Sequence, residues 1–407
     1  MKILMLTPYL PFPLFSGGQT RSYNLIKSLS DKHEITLFSL IKDDVEKKHV
    51  HELEKYCKKV SVFKRSRIPW TLRNIFLTAF GPYPFLVMRN YSPAERRAVK
   101  KELSGGGYDL IHAETFYTMP HIPSTSVPIL LVEQTIEYLV YKHYAGEQAP
   151  FLIQPILWVD VALKLKFWET HFWKKAQRVV AMSKSDSRLM KELVPNLKID
   201  IVPNGIDVGH FSAKKRQEEK YSKILYVGNF AWLQNAEAVE VLVNEVWPQI
   251  KKEVPDCKLW IVGKNITGKV KNYASEDIEI TEGLPDIRDA YLTSNLWVVP
   301  IKGPGGTRLK ILEAMASGLP VVTTPVGAEG LGITNGKQAL ISDDFGELAK
   351  LAVKLIKNKK LAKQLGLSAK EFAEKNYSWS KSAAALDKIY KDLVIASFAY
   401  KEVCDKN

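Results

Sequence analysis

The chain has 407 residues, 46% hydrophobic and 10% aromatic, with 58 Lys and Arg against 44 Asp and Glu for a net charge of +14. That length exceeds one ordinary hydrophobic core and suits two domains of roughly 150 to 200 residues each, while no window approaches the roughly 20 uninterrupted apolar residues of a membrane span. Three cysteines, Cys57, Cys257 and Cys404, have neither metal spacing nor an even count, so neither a disulfide framework nor a zinc site is indicated and a reducing, cytoplasmic setting is expected.

In chain order, Thr7 and three prolines interrupt the apolar N-terminus before any small-residue cleavage site, so Lys2 to Leu6 reads as a buried first strand and not as part of a signal peptide. A helix from about Gln19 to Ser30 follows, then strands at Ile35 to Leu40, Asp109 to Ala113, Ile129 to Glu133 and Arg178 to Met182. Strand runs alternating with helical patterns predict parallel βαβ units. Turn-forming Pro, Asn and Gly in Ile201 to Phe211, then the charged run Ser212 to Lys223, mark a domain boundary. A second series begins at Lys223 to Val227 and continues with a helix near Ala236 to Glu253 and strands at Lys258 to Val262, Ile278 to Thr281, Leu296 to Pro300 and Val321 to Thr324. The fold class is α/β, with two doubly wound parallel sheets. A last helix runs from about Lys381 to Phe398.

Two glycine-rich turns are candidate phosphate cradles. Ser16-Gly17-Gly18 lies between the first strand and its helix, where backbone N–H groups can approach an anion; alone, it is equally a plain turn, and it lacks the G-x-G-x-x-G spacing of dinucleotide binders. Gly303-Pro-Gly-Gly-Thr-Arg-Leu-Lys-Ile-Leu-Glu, residues 303 to 313, follows a strand and enters a helix. It gathers Gly305, Gly306, Thr307, Arg308, Leu309 and Lys310 around one point suited to a diphosphate, with Glu313 one to two turns into the helix, able to accept hydrogen bonds from ribose hydroxyls. The charged residues could also form only a solvated face.

These segments, with Asp109-Leu-Ile-His-Ala-Glu114, Val180-Ala-Met-Ser183, Pro203-Asn-Gly-Ile-Asp207, Tyr226-Val-Gly-Asn229, Ile261-Val-Gly263 and Gly306 to Ala316, resemble the retaining glycosyltransferases of family 4 over nearly the whole chain. The resemblance implies the GT-B arrangement, two Rossmann-like domains facing across a cleft. The first spans about 1–203 plus the C-terminal helix 376–407, which crosses back onto it, and lies on the acceptor side; the second spans about 204–375 and holds the donor. It further implies sugar transfer from a nucleoside-diphosphate sugar, UDP or GDP being expected, with retained configuration, no metal and no other cofactor. Gly17, Gly18, Gly228, Asn229 and Gln234 then join residues 305–310 and Glu313 as donor-binding candidates, with catalysis assigned to Glu114, Arg308 and Lys310.

The chain departs from the family pattern at three places. Of the usual glutamate pair eight positions apart only Glu313 is present, the first falling on Gly305; Asn229 and Gln234 stand where many members carry Arg and Lys; and Glu114 replaces a histidine aimed at the donor sugar. Diphosphate charge would then rest on Arg308 and Lys310. His112 reads as a packed residue on the opposite side of its strand from Glu114. Glu133 and Glu137 rim the cleft with Asn204 or are solvated loop carboxylates.

Residues 1 to 200 carry 29 Lys and Arg against 19 Asp and Glu, so the anionic partner is expected there. Without aromatic-interleaved or arginine-rich tracts, nucleic acid is not that partner; an anionic membrane surface or a glycan or lipid-linked acceptor is. Lys64 to Leu77, with Trp70 and Phe76, and Trp158 to Lys175, with Phe167, Trp168, Phe172 and Trp173, mix aromatics and cations, as a headgroup-bound helix or an amphipathic core helix would. A peripheral position on the inner membrane face and a part in cell-surface polysaccharide or glycolipid synthesis follow from the first of these. A nucleotide-sugar epimerase and a non-catalytic sugar-nucleotide-binding protein remain the rival functions.

Overall fold

The computed structural model describes residues 1–68, 71–147, 151, 154–213, 222–304 and 307–404; Trp70, Gly305 and Gly306 lie outside them. Two compact units are built, one from Met1–Pro203 with Trp379–Asn407 and one from Asn204–Ser378.

In unit 1 seven parallel strands, β1 (Lys2–Thr7), β2 (Glu34–Ile41), β3 (Lys59–Lys64), β4 (Leu110–Glu114), β5 (Ile129–Val132), β6 (Arg178–Ala181) and β7 (Ile199–Ile201), lie in the order β3-β2-β1-β4-β5-β6-β7. Both faces are covered, which is why β1, β2 and β5 are nearly continuous in apolar residues instead of alternating. Leu4, Leu6, Ile111, Ala113, Leu131, Val179 and Ala181 form one face of the core with Phe116, Met119, Phe172 and Trp173. Sequence pattern did not reveal β3 or β7. Both are edge strands, β3 with exposed lysines at its ends and β7 only three residues long, and their pairing comes from the neighbouring strand more than from their own composition.

The opposite face of that sheet is covered by the first helix, Gly17–Leu29, and by the C-terminal helix, Trp379–Cys404, which pack on each other. Leu386 and Tyr390 of the C-terminal helix are 0% and 1% exposed. Buried polar bonds join it to the sheet: His33 Nε2 lies 3.0 Å from Asp387 and His112 Nδ1 2.5 Å from Tyr390 Oη.

Unit 2 repeats the plan with six parallel strands, β8 (Lys223–Asn229), β9 (Lys258–Lys264), β10 (Ile278–Glu282), β11 (Leu296–Val299), β12 (Val321–Thr323) and β13 (Leu340–Ile341), ordered β10-β9-β8-β11-β12-β13. β13, two residues long, carries no sequence pattern of its own. No described helix is long and apolar enough to cross a membrane.

The two aromatic stretches divide their residues. Phe172 and Trp173 are core, at 3% and 0% exposure, whereas Phe167 and Val159 on the same helical stretch, and Leu72, Phe76 and Phe80 on the helix Leu72–Phe80, are more than half exposed. The stretches are tied together: Lys164 Nζ donates to the carbonyls of Thr78 and, at 2.9 Å, Gly81, and Trp168 Nε1 donates to Pro82 O at 2.7 Å.

Because the C-terminal helix buries Leu386 completely, Leu386→Ala is expected to destabilise unit 1 by about 3 kcal/mol through lost burial and the cavity left behind. Urea unfolding followed by the fluorescence of unit 1 tryptophans checks this.

Candidate active site

In each sheet the strand order reverses once, between β1 and β4 in unit 1 and between β8 and β11 in unit 2. The crevice beyond the carboxyl ends of two such strands is where open α/β sheets bind ligands, since the loops leaving them part in opposite directions.

At the unit 1 reversal, β1 leads towards the Gly17–Leu29 helix and β4 ends at Glu114. Ser16 caps the helix, its Oγ accepting from Gln19 N at 3.3 Å. Gly18 permits a close approach: a Cβ there would stand 2.4 Å from both Gln134 Oε1 and Tyr9 Oη. Glu114 is 0% exposed. Its Oε1 lies 3.1 Å from His112 Nε2 and its Oε2 accepts from Gln134 Nε2 at 2.6 Å. Burial drives this carboxyl upward, but His112, Arg21 and Gln134 together hold it below the ordinary carboxylate range, so it is an anion. Arg21, also buried, donates to Val202 O and Pro203 O at 2.9 and 3.0 Å.

His112 does not point away from Glu114. Residues two apart on a strand share a face, so both turn towards the C-terminal helix, while Ile111 and Ala113 turn into the opposite core layer. Glu133 is neither on a rim nor solvated: it is 2% exposed and accepts from Trp173 Nε1 at 2.9 Å. Half-buried Glu137 begins a helix, whose first N–H groups, those of Glu137 and Tyr138, donate at 2.8 Å each to Glu169, a carboxylate that sequence analysis did not single out. Its signal was slight, one acidic residue within an aromatic stretch. Burial raises Glu133 and Glu169 well above the usual range, with Glu169 adding repulsion at Glu133 and Glu137 adding it at Glu169, and burial lifts Glu137 itself to about 7.

At the unit 2 reversal, Gly228 and Asn229 end β8 in register with Gly263 and Lys264 of β9. Glycine is needed at 263, where a Cβ would come within 2.3 Å of Gly228 O, while a Cβ on Gly228 would press on the Tyr226 and Asn235 side chains at 3.1 Å. Asn229 Oδ1 accepts from Ala231 N at 3.1 Å and Asn265 Nδ2 at 2.9 Å, which shapes the turn after β8. Gln234 Nε2 donates to Pro304 O at 3.2 Å, so its amide fastens the glycine-rich segment in place. From that segment Arg308 donates to Gly303 O at 2.8 Å, and the Thr307 hydroxyl is buried with no partner among the described residues. Leu309 offers a ligand little: its side chain is core and its N–H is taken by Thr307 O at 3.0 Å.

Glu313 is 5% exposed and both its oxygens are engaged, by Lys310 Nζ at 3.0 and 2.8 Å and by Tyr291 Oη at 2.9 Å. A ribose hydroxyl would enter that network, not meet a free carboxylate. Lys264 is a cation that sequence analysis missed, its only signal being its place directly after the strand-end glycine. Burial, with the repulsion of nearby Lys310, lowers it. Lys264 and Lys310 are close enough to repel, and Arg308 stands two residues before Lys310, so this turn brings three cations together with Glu313. Asn204, 7% exposed, opens unit 2 beside the Ile206–Ser378 bridge.

Residues 15–210 match the Glycosyltransferase Family 4 domain and residues 221–358 the Glycosyl transferases group 1 domain. A 44.6 kDa protein in the cps region of Klebsiella pneumoniae is 24% identical across 95% of this chain and 99% of its own. Phosphatidyl-myo-inositol mannosyltransferase of Mycobacterium tuberculosis is 24% identical across 76% of this chain and 81% of its own. Among solved structures, Anabaena Alr3699/HepE in complex with UDP-glucose superposes with a TM-score of 0.65 at 15% identity, covering 97% of this chain and 100% of that one.

The raised Glu137 carboxyl has a pH consequence. Its ionised form is disfavoured in the folded chain, so stability is lost as pH rises from the ordinary 4.5 through about 7. Glu137→Gln, which mimics the protonated form, is expected to leave the urea midpoint of unit 1 unchanged at pH 4 and to raise it at pH 8. Equal midpoints at pH 8 would contradict this placement of Glu137.

Proposed function

The chain belongs to glycosyltransferase family 4 and the group 1 glycosyl transferases, and on that premise we propose that it moves a sugar from a nucleoside-diphosphate donor, with UDP or GDP as the nucleotide, to a hydroxyl acceptor, retaining the anomeric configuration and using no metal ion. It is a glycosyltransferase with the two Rossmann-like units of the GT-B type. The observation that carries the donor reading is the gathering of Lys264, Arg308 and Lys310 with the Lys310–Glu313–Tyr291 network at the reversal point of the second sheet. Cations at that place suit a diphosphate, and a carboxylate among hydroxyl and ammonium partners suits a ribose. The Anabaena neighbour's UDP-glucose supports the same ligand class.

Retention follows if the acceptor hydroxyl attacks on the face from which the diphosphate departs, with a phosphate oxygen taking the proton. The protein's task is then to stabilise charge growing on the leaving phosphate, which Arg308 and Lys310 perform, one contact of this kind being worth about 10² to 10³ in rate. Glu114, a buried anion at the reversal point of the first sheet, belongs to the acceptor side.

The acceptor is a glycan or a lipid-linked sugar, presented at an anionic membrane surface. Exposed Leu72, Phe76, Phe80, Leu163 and Phe167 on two linked helical stretches, among Arg73, Lys142, Lys166, Lys174 and Lys175, support this. The mycobacterial relative, named for mannosyl transfer to phosphatidyl-myo-inositol, is consistent with it.

A thermal-shift series with UDP, GDP, ADP and NAD is expected to show selective stabilisation by UDP or GDP, about 2.7 kcal/mol at 100 times the dissociation constant. Lys310→Ala and Glu313→Ala should abolish that shift; stabilisation unchanged in Glu313→Ala would remove the ribose from this site. With vesicles containing phosphatidylglycerol, the double variant Phe76→Ser/Phe80→Ser should sediment at least about tenfold less than the unaltered chain. Equal sedimentation would place the membrane contact elsewhere.

A further inference from the structure

Glu114 has no surface to offer a ligand, yet it ends a line of hydrogen bonds that leads outward. Tyr390, His112 and Glu114 are 1%, 0% and 0% exposed, while Gln134 and Tyr9 are only half-buried. A carboxylate can only accept, so Gln134 must turn its NH₂ group to Glu114 Oε2, at 2.6 Å, and its second hydrogen goes to Tyr9 Oη, also at 2.6 Å. That settles which way the amide faces. Its carbonyl oxygen is aimed at Gly18, on which a Cβ would lie 2.4 Å away. At the inner end His112 Nε2–H donates to Glu114 Oε1 at 3.1 Å, and its Nδ1 meets the Tyr390 hydroxyl at 2.5 Å.

We infer that Gln134 is the residue of unit 1 that binds the acceptor hydroxyl, its side-chain oxygen accepting the hydrogen bond beside the Gly17–Gly18 turn, and that Glu114, His112 and Tyr390 are positioning residues acting through it. This rests on the transfer reading given above. An amide oxygen is too weak a base to remove the proton, so Gln134 orients the hydroxyl and leaves deprotonation to the departing phosphate. The ligand class is a sugar or polyol hydroxyl. The line also gives the C-terminal helix a part in activity, since Tyr390 belongs to it.

Protonation of Glu114 would undo the arrangement, because a carboxylic acid donates a hydrogen bond and the amide could then turn its oxygen inward. The groups facing Glu114 are His112 on its own strand, Arg21 on the first helix, Gln134 and Tyr9 on loops and Tyr390 on the C-terminal helix, with His33 and Asp387 behind Tyr390. His112 and Arg21 favour the anion, so weakening the hold of His112 lets the carboxyl rise and moves the acid limb of activity to higher pH.

The test uses the full chain with whichever of UDP-glucose, UDP-galactose and GDP-mannose it turns over, and methyl glycosides as acceptor probes. Gln134→Leu is expected to lower kcat/KM for the acceptor about 10- to 100-fold while leaving nucleoside diphosphate affinity unchanged. Gln134→Met serves if the leucine variant does not fold. Tyr390→Phe should lower acceptor kcat/KM by a smaller factor and shift the acid limb upward, and the double variant should be no worse than Gln134→Leu alone. Independent, multiplying losses would reduce Tyr390 to a packing residue and overturn the line. Unchanged acceptor kinetics in Gln134→Leu would overturn the assignment of Gln134 and leave the transfer reading standing. Loss confined to donor affinity would move the contact to the donor sugar and likewise overturn it. Failure of the unaltered chain to turn over any of these donors would overturn both.

Discussion

Placing the Glu114 carboxylate where water cannot reach it is the constraint on which unit 1 is arranged. An unpaired buried charge costs several kcal/mol, so every oxygen of that group has to be met, and the partners come from distant parts of the chain. His112 lies on the same strand, Gln134 on the loop after the next strand, and Arg21 on the first helix. His112 in turn requires Tyr390 at its other nitrogen, and Arg21 is spent on the carbonyls of Val202 and Pro203 at the chain's exit from the unit. First helix, middle strands, exit segment and last helix are committed together by one ionised group.

Unit 2 solves a different problem at the equivalent place. Its reversal point gathers cations, and the buried Glu313 there accepts from Lys310 and Tyr291. Small residues make both places possible. Gly18 lets Tyr9 and Gln134 close over the first turn, and Gly263 lets its strand end approach the Gly228 carbonyl, from which a Cβ would stand only 2.3 Å.

The alternation of apolar runs and amphipathic helices was legible in the order of residues, because a strand buried on both faces and a helix buried on one each need a particular local pattern. Glycine-rich turns and the charges at 303–313 were legible for the same reason. The short edge strands β3, β7 and β13 were not, since their pairing is supplied by neighbours. Nor were the positions of Glu133, Glu169 and Lys264, because the sign and burial of a side chain depend on what packs over it.

By itself the sequence determined the two-sheet α/β architecture, the family and the location of the glycine-rich turns, all properties of local pattern and spacing. Only the tertiary structure decided that Glu114 is buried and faces the same way as His112, that Gln134 stands between it and the glycine turn, and that a tyrosine 276 residues further on completes the line. Those outcomes depend on burial and on hydrogen-bond partners far apart in the chain, and no local pattern encodes them.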